Sequence, residues 1–534
     1  MTPQVSFVNY LVLAPEIGLL LLLVVILAYN AVIGDSDRRR VGLLTAWGAF
    51  LLLLMVVGLA LFSEPFRSRL GYPDTGQIWG GMIVHGPAAI LFRVMFLLAL
   101  LLTALFSADT KALQKGEYYA LLVMATIGFD MMALSGDLIM LFLSLETAGI
   151  SLYLLAGYTT WEKRSAEAGI KYFVYGAFVT AIMLYGLSFL YGAIGSTNLF
   201  DIASAIGGTA RQINLNLNSP LPSDALANTI RFASGFYALV LVSAVMVVAG
   251  FGFKISAVPF HFWAPDVYEG SPSPVTGFLS TASKAAGFAL FFRVFDAGVF
   301  GWLSSPQDGI DRMAPASGWW AMLVSMCIVT VILGNLLAIY QTNIKRLLAY
   351  SSIAQAGYIL IGLVSMTPDG ASASLFYLLM YVFTNIAAFG VIALISNADG
   401  SDNLTDLSGL SRRSPGLALA MMIAFLSLGG IPPTAGFIGK FLIFKAAVDA
   451  GLWWLALIGV LAAFVSLYYY LSVLKYMYLY RNEERESTAI PVSRAAQVGL
   501  VFSSIGIIAL GILVSPVLTW AQLSAAEFFA RFGG

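Results

Sequence analysis

The sequence contains few of the residues that build redox or metal sites. Its 534 residues include one cysteine and two histidines, and only 10% are charged. A single cysteine, Cys327, cannot form a disulfide within the chain, a zinc site or an iron–sulfur ligand set. Two histidines, His85 and His261, are too few for bis-histidine haem ligation plus a second task. The chain is therefore expected to bind no redox cofactor or metal of its own.

An excess of charge of one sign is also missing, because 28 basic residues balance 28 acidic ones. No basic surface for nucleic acid is indicated. Apolar residues are abundant instead, at 59%, and a membrane-spanning helix needs about 20 of them. We therefore predict an all-α polytopic membrane protein with about fourteen transmembrane helices, near 10–29, 41–62, 87–107, 118–135, 137–158, 170–192, 236–258, 275–298, 318–340, 345–366, 372–396, 415–446, 452–480 and 495–523.

Two of these predicted helices are interrupted by proline, the seventh at Pro259 and the twelfth at Pro432 and Pro433. They are five helices apart, which predicts two five-helix repeats that are inverted in the membrane. Broken helices in corresponding positions of two halves point to a transport site. No close internal sequence repeat supports this, so the repeats rest on spacing alone. The predicted units are helices 1–3 in 1–117, helices 4–8 in 118–298, helices 9–13 in 299–480 and helix 14 in 481–534.

The basic residues predict the orientation of the chain in its membrane. With the N-terminus outside, most lysines and arginines of the connections fall on the cytoplasmic side, as the positive-inside rule requires. An even number of helices then leaves the C-terminus outside as well. The first apolar run has no basic region before it, which favours a retained helix over a cleaved signal peptide.

Three lysines lie inside the apolar runs: Lys254, Lys284 and Lys440. A charge in hydrocarbon costs at least about 2.5–3.5 kcal/mol, so an intramembrane lysine is a functional hypothesis by default. The alternatives are a structural ion pair and a side chain that snorkels to the surface. Snorkelling suits Lys445 and Lys475, which approach helix ends, but not Lys284 in the middle of a span. The order of the three sites predicts a step from the inner to the outer side of the membrane.

Glu146 is interpreted as the one carboxylate well inside a span with no charged neighbour. A buried carboxylate needs a partner, and Lys254 is the predicted one. A small movement or a nearby charge could make such a pair release a proton. Lysine can accept and release protons in this way, whereas an arginine stays charged.

Polar side chains at helical spacing suggest a hydrated path between the lysines. Hydroxyls and amides can hold water between titrating groups, although the same residues also serve as packing contacts between helices. Tyr358 and Tyr381 are candidates to line the path. His261, just beyond the break after Lys254, is either a proton relay or a hydrogen-bonding loop residue. The three polar stripes are Ser280, Thr281 and Lys284; Ser351, Gln355 and Tyr358; and Tyr377, Tyr381, Thr384 and Asn385.

The remaining charged residues near predicted span ends receive structural interpretations. Glu16 is expected to cap a helix N-terminus, and His85 is expected in an exposed loop. Arg93 and Arg293 are predicted to anchor span ends. Asp266 and Glu269 are expected to cap a loop, with attraction of protons to a cytoplasmic entrance as the alternative.

At these residues the chain resembles a known family, the antiporter-like subunits of respiratory complex I. The resemblance covers nearly the whole chain, and its motifs are long and therefore specific. Among the antiporter-like subunits it is most similar to subunit N, called subunit 2 in mitochondria. The motifs that carry the resemblance are Phe253-Lys-Ile-Ser-Ala-Val-Pro-Phe-His-Phe-Trp-Ala-Pro-Asp, Ser280-Thr-Ala-Ser-Lys-Ala-Ala-Gly, Lys345-Arg-Leu-Leu-Ala-Tyr-Ser-Ser-Ile-Ala-Gln and Gly430-Ile-Pro-Pro-Thr-Ala-Gly-Phe-Ile-Gly-Lys.

The resemblance implies a proton-translocating subunit in the membrane arm of a type I NADH:quinone oxidoreductase. It implies that Glu146 and Lys254 form a coupling pair, that Lys284 is the central relay and that Lys440 is the outer lysine. Some relatives have histidine at the position of Gln355, so the central relay here is expected to depend more on water and Tyr358. NAD(H), FMN, iron–sulfur clusters and quinone are implied elsewhere in the complex.

The implied partners are the J, K and M-type membrane subunits, lipid, protons and water. The implied location is the bacterial inner membrane, or a thylakoid membrane in a cyanobacterium. Two alternatives remain open: a subunit of a cation/proton antiporter or membrane-bound hydrogenase complex, and a scaffold whose lysines form structural ion pairs. A solitary secondary transporter is disfavoured, because no substrate-shaped set of polar groups accompanies the charged residues.

Overall fold

The computed structural model describes residues 7–33, 38–61, 76–217, 222–296, 318–481 and 488–530. The two chain termini, whose side of the membrane the sequence predicts, lie outside the described residues. A two-stranded antiparallel hairpin, β1 Gly76–Ile78 and β2 Ile83–His85, precedes the fourth helix. The helices are α1 Phe7–Val12, α2 Ala14–Val32, α3 Arg39–Leu61, α4 Pro87–Ser107, α5 Gly116–Leu134, α6 Leu138–Ala156, α7 Lys163–Ile194, α8 Leu199–Leu217, α9 Ser223–Ile255, α10 Trp263–Gly270, α11 Ser273–Phe295, α12 Gly318–Ile339, α13 Ile344–Val364, α14 Pro368–Asp399, α15 Leu410–Arg413, α16 Pro415–Gly429, α17 Ala435–Asp449, α18 Trp453–Tyr478, α19 Arg494–Ile512 and α20 Val514–Ala530.

The helices confirm the predicted all-α polytopic fold. Within the described residues, thirteen helices are long and apolar enough to cross a membrane. The predicted twelfth span is represented by two shorter helices of 15 residues each, α16 and α17, on either side of the proline pair. Counted as one interrupted span, this pair accounts for the fourteenth crossing.

Three stretches differ from the prediction, the first two because hydropathy alone misses amphipathic helices. The helix α9 begins at Ser223, well before the predicted position 236. The polar stretch between the sixth and seventh predicted spans, expected to be a loop with at most a short surface helix, contains the 19-residue helix α8. The last predicted span is divided at Leu513 into α19 and α20.

The two broken helices end in the same way. After α9, Ser256 adopts a left-handed conformation, and the Ala257 N–H bonds the Gly252 carbonyl at 2.8 Å. After α16, Gly430 is left-handed with φ 79°, and the Ile431 N–H bonds the Leu426 carbonyl at 2.9 Å. Both are Schellman caps, and a proline that cannot continue a helix follows each of them. The matching caps support the predicted five-helix units, which stay a prediction.

Four helices form the interior of the bundle. In α11 and α14 the whole apolar window is buried, and in α4 and α13 94% of it is. The helices α2, α3, α18 and α19 instead leave most of their apolar surface exposed, as lipid-facing or partner-facing helices do. A charged residue in the middle of α11, α13 or α14 is therefore shielded from lipid by protein on every side.

Candidate functional site

The three lysines singled out in the sequence are all buried. Lys254 is 3% exposed, Lys284 0% and Lys440 4%. In the described part of the chain, none of them forms an ion pair with a carboxylate within 4.0 Å. Lys445 and Lys475 are exposed, as expected of snorkelling side chains. The structural ion pair offered as the alternative explanation therefore does not account for the three buried lysines.

Lys254 lies in the last turn of α9, beside α5 and α6. Its ammonium is 6.0 Å from the centre of the Phe129 ring. Glu146 on α6 is half-buried and acts on Lys254 electrostatically. Its Oε1 accepts no hydrogen bond, and the two side chains are too far apart for a contact ion pair. The two residues of the predicted pair thus interact electrostatically but do not form a direct contact.

Lys284 lies at the middle of α11, immediately after a π-helical turn at Leu279–Ser283. Single π turns are rare and often occur at functional sites. The Lys284 ammonium donates a hydrogen bond to the backbone carbonyl of Ser352 on α13. One turn further along, a methyl group at Gly287 would lie 3.3 Å from Lys254 Cβ. Lys254 and Lys284 are therefore on contacting faces of α9 and α11.

Gln355 on α13 contacts three other helices, α14, α18 and the end of α16 before the second break. Its Oε1 accepts a hydrogen bond from Tyr377, and its Nε2 donates to Tyr470 Oη at 3.0 Å. The same Nε2 lies 3.4 Å from the Leu428 carbonyl, which also accepts a 2.8 Å hydrogen bond from Lys440 Nζ. The Schellman cap leaves this carbonyl in the last turn of α16 available to side chains. Gln355 and Lys440 thus share one acceptor.

The two candidate tyrosines have different positions. The Tyr358 ring lies under the Lys440 ammonium at 4.8 Å, a cation–π contact. Its hydroxyl accepts a 3.0 Å hydrogen bond from Asn335 Nδ2, so Tyr358 supports Lys440 rather than the region around Lys284. Tyr381 is buried between Ser352 and Asn385, and its hydroxyl makes no well-oriented hydrogen bond. Tyr381 therefore lies near Ser352, whose carbonyl accepts the hydrogen bond from Lys284.

The polar stripes predicted from spacing have mixed roles. Asn385 Nδ2 donates to Ser280 Oγ at 2.6 Å, which connects α14 to α11. Thr281 Oγ1 donates to the Gly277 carbonyl of its own helix at 2.8 Å, an ordinary packing contact. Ser351 hydrogen-bonds Tyr470. Tyr470 was not anticipated, and its only signal was the unusual run of three tyrosines at 468–470 in an apolar helix.

His261 is 5% exposed and lies in the break between α9 and α10. Its ring is 4.4 Å from that of Phe262, and Nδ1 has no hydrogen-bond partner. No described contact connects His261 to the three lysines. Its role as a relay stays a prediction.

Asp266 and Glu269 do not cap a loop but belong to an ion-pair network across α7, α10 and α13. Asp266 bonds Lys171 Nζ at 2.6 Å and Arg346 Nη1 at 2.8 Å, and Arg346 also bonds Glu269 at 2.9 Å. Burial acts to raise the pKa of Asp266, but the hydrogen bonds from Lys171 and Arg346 outweigh it and hold the pKa below its usual value. The network fixes the segment that follows the first break.

A lowered pKa predicts the pH dependence of this network. Asp266 is ionised more readily in the folded chain than in the unfolded one, so its stabilising effect is present at neutral pH and lost as the pH falls through the lowered pKa. Asp266→Asn is therefore expected to lower the melting temperature of the purified protein at pH 7 and to have less effect in acid. An equal effect of the substitution at both pH values would contradict this assignment.

Several further expectations from the sequence are wrong. His85 is fully buried, not exposed. Glu16 lies in the first turn of α2, as expected, but the sequence did not indicate its buried 2.7 Å ion pair with Arg93. Arg293 is buried and donates from Nε to the Ala133 carbonyl at 2.7 Å, so it is not a surface anchor. A further buried carboxylate, Asp130 on α5, was not singled out in the sequence.

The described residues contain no group of three His, Cys, Asp or Glu side chains that could hold a metal ion.

Three comparisons with known proteins show which family the chain resembles. The model of the family described as "NADH:quinone oxidoreductase/Mrp antiporter, TM" matches residues 135–466. A relative from Moorella thermoacetica, the NADH-quinone oxidoreductase subunit N, is 41% identical over 507 residues, which are 94% of this chain and 96% of that protein.

Solved structures show the same likeness. A chain of respiratory complex I from Thermus thermophilus with bound aureothin superposes with a TM-score of 0.72 at 31% identity, covering 95% of this chain and 99% of that one. A chain of the Mrp complex from Dietzia superposes with a TM-score of 0.76 at 22% identity, covering 97% and 98% of the two chains, which shows a shared fold. The chain therefore belongs to the NADH:quinone oxidoreductase/Mrp antiporter family of membrane subunits, and within it to the subunit N relatives.

Proposed function

We propose that this chain translocates protons as a membrane-arm subunit of a type I NADH:quinone oxidoreductase. Electron transfer takes place in neighbouring subunits, which would hold NAD(H), FMN, iron–sulfur clusters and quinone. The J, K and M-type subunits are its proposed neighbours in a bacterial inner membrane, or in a thylakoid membrane for a cyanobacterial source. Both chain ends are proposed to face outwards. The subunit N relatives support this function over a free-standing antiporter.

The observation that carries the proposal is the row of buried lysines without ion-pair partners. A structural lysine in a dry interior would need a carboxylate within ion-pair distance, because an uncompensated buried charge is strongly destabilising. Lys284 and Lys440 instead donate to backbone carbonyls, at Ser352 and Leu428. A carbonyl can accept a hydrogen bond from ammonium or from neutral amine. Either protonation state of the two lysines can therefore be accommodated.

The contacts suggest the order of proton transfer. Lys254 and Lys284 lie on contacting helices, and Ser352, which accepts from Lys284, is one turn before Gln355 on α13. Gln355 in turn shares the Leu428 carbonyl with Lys440. Gln355 does not titrate, so it would orient water and the Tyr377 and Tyr470 hydroxyls. We infer a path from Lys254 through Lys284 to Lys440.

Glu146 is proposed to control the first step electrostatically. At an effective dielectric constant near 20, two unit charges about 4 Å apart interact by about 4 kcal/mol, and more weakly at larger separation. A charge that approaches Glu146 or draws it away would change the free energy of the proton on Lys254. Half-buried Glu146 can respond to a neighbouring subunit, whereas Lys284 is enclosed by this chain alone.

Replacing Lys254 by alanine tests the proposal. We expect a complex that assembles but pumps far fewer protons per electron, measured with a pH-sensitive dye in membrane vesicles. Lys475→Ala removes an exposed lysine of α18 and serves as the matched control, with pumping expected to be unchanged. A fully coupled Lys254→Ala complex would instead indicate a scaffold.

A further inference from the structure

A second group of buried ionisable residues lies where α2 and α4 begin and where α5, α11 and α20 end. None of its members belongs to the row of buried lysines formed by Lys254, Lys284 and Lys440, which is called the lysine axis below. Each is less than a tenth exposed, although they come from five helices and from β2. By the proposed orientation this is the outer end of the bundle. The group, called the outer cluster below, consists of Glu16, His85, Arg93, Asp130, Arg293 and Glu527.

The ion pair of Glu16 and Arg93 holds the outer cluster together. Arg93 Nε donates to Glu16 Oε1 at 2.7 Å, and Nη2 donates to the Val12 carbonyl at 3.0 Å. Arg93 Nη1 also lies 3.5 Å from His85 Nδ1. Both members of the pair are at most 2% exposed. The pair is therefore an ionic contact inside protein, with its charges already balanced.

Asp130 is a third ionisable group beside this pair, and its ionised form would have no counter-charge of its own. Its side chain is 0% exposed, and neither carboxylate oxygen has a hydrogen-bond partner. Glu16 and Arg93 are the charged groups that act on it, with opposite signs. Burying an ionised carboxylate without hydrogen bonds is far more costly than burying a neutral carboxylic acid. The geometry thus favours Asp130 with a proton attached.

The other elements packed against α5 provide no counter-charge for Asp130. The helix α6 contributes Glu146, and α11 contributes Lys284 and Arg293, but the charged groups that act on Asp130 are Glu16 and Arg93. The arginines of α3 lie in its first turn, at the opposite end of the bundle. The hairpin strand β2 contributes His85, which contacts Arg93 instead.

Asp130 nevertheless lies next to the lysine axis. The preceding residue, Phe129, carries the ring that faces the Lys254 ammonium. A methyl group at Gly128 would lie 2.9 Å from Ala148 Cα, which places Asp130 level with Glu146 on the antiparallel helix α6. Asp130 therefore faces the outer cluster, while its immediate neighbour faces Lys254.

A small pocket also lies against two members of the outer cluster. Glu527 on α20 accepts a 2.9 Å hydrogen bond from the Ala88 N–H at the start of α4, directly beside Gly86 and His85. Glu527 and Arg293 line a small pocket at this end together with Val84 and Ser135. Ionisable side chains are thus present both beside Asp130 and at the pocket at this end of the bundle.

We propose that Asp130 is a second proton-binding site of this chain, separate from the three lysines, with His85 and Glu527 as the titratable groups towards the outer face and Arg93 as a fixed positive charge beside it. The carboxylate takes up one proton from water and becomes neutral, while the Glu16–Arg93 pair stays ionised. Release returns the proton to water at the rim. The inference rests on the proposed function only in assigning this end of the bundle to the outside.

Infrared difference spectroscopy of the purified complex, exchanged between H2O and D2O, tests the site directly. We expect a carbonyl stretching band of a buried, protonated carboxylic acid that shifts in D2O and is lost in Asp130→Asn. Glu117→Gln, which removes an exposed carboxylate from the same helix α5, should leave that band unchanged. If Asp130→Asn does not assemble, Asp130→Glu keeps an acid at the position and should move the band. A band that neither variant alters, or no such band, would overturn the proposal.

The outcome is independent of the test of the lysine axis. If Asp130 carries a proton but Lys254→Ala pumps normally, the proposed function fails and the site stands. If Lys254→Ala stops pumping but no carboxylic acid depends on Asp130, the site fails and the proposed function stands.

Discussion

Replacing Lys284 by alanine is expected to abolish proton pumping, with the ratio of protons pumped to electrons transferred falling to background in membrane vesicles. Lys284 occupies the middle of α11, which is buried throughout, and the fourth buried lysine of the described residues, Lys345, is paired with Asp402 at 3.2 Å. Assembly should survive, because no carboxylate pairs with Lys284 and none would be left uncompensated. Assembly and the electron-transfer rate are measured in the same vesicles.

Lys284→Arg separates the charge of this side chain from its ability to release a proton. Arginine keeps a positive charge near the Ser352 carbonyl, but it does not deprotonate in proteins. A relay therefore predicts that both substitutions stop pumping. A purely structural charge predicts that arginine restores what alanine loses. Unchanged protons per electron in Lys284→Ala would remove the central step of the mechanism.

The positions of the helix breaks and buried lysines could be predicted because their causes are local. Proline lacks an N–H, so Pro259 and Pro433 were expected to end helices, and the structure places a Schellman cap before each. A lysine in an apolar run is visible in any window of about 20 residues. Lys254, Lys284 and Lys440 accordingly lie where the sequence suggested, inside the bundle.

The partners of these residues could not be predicted, since they depend on contacts between distant segments. Gln355 and Tyr470 are 115 residues apart, and Arg93 and Glu16 are 77 apart. Spacing along one helix contains no information about which other helix lies opposite. Hydropathy also placed Arg93 close to a span end, where charges are common, although it is enclosed by neighbouring helices.

The outer cluster predicts a large effect on stability. Arg93→Met would leave Glu16 buried without its 2.7 Å partner, and breaking a buried ion pair in this way typically costs about 3–5 kcal/mol. We expect a marked fall in the melting temperature of the purified complex, or failure to assemble. Glu16→Gln in the same chain removes the stranded charge. The double variant Glu16→Gln with Arg93→Met should therefore recover part of the lost stability.

An exposed ion pair provides the matched control for this experiment. Lys445 and Asp449 bond at 2.6 Å on the surface of α17, where water and membrane-surface ions screen them. Lys445→Met removes a cation with the same substitute and should leave the melting temperature unchanged. If Arg93→Met were as harmless as Lys445→Met, the Glu16–Arg93 pair would not hold this end of the bundle together. If the double variant were no more stable than Arg93→Met alone, the loss would come from packing of the arginine stem and its hydrogen bond to Val12, and not from a stranded charge.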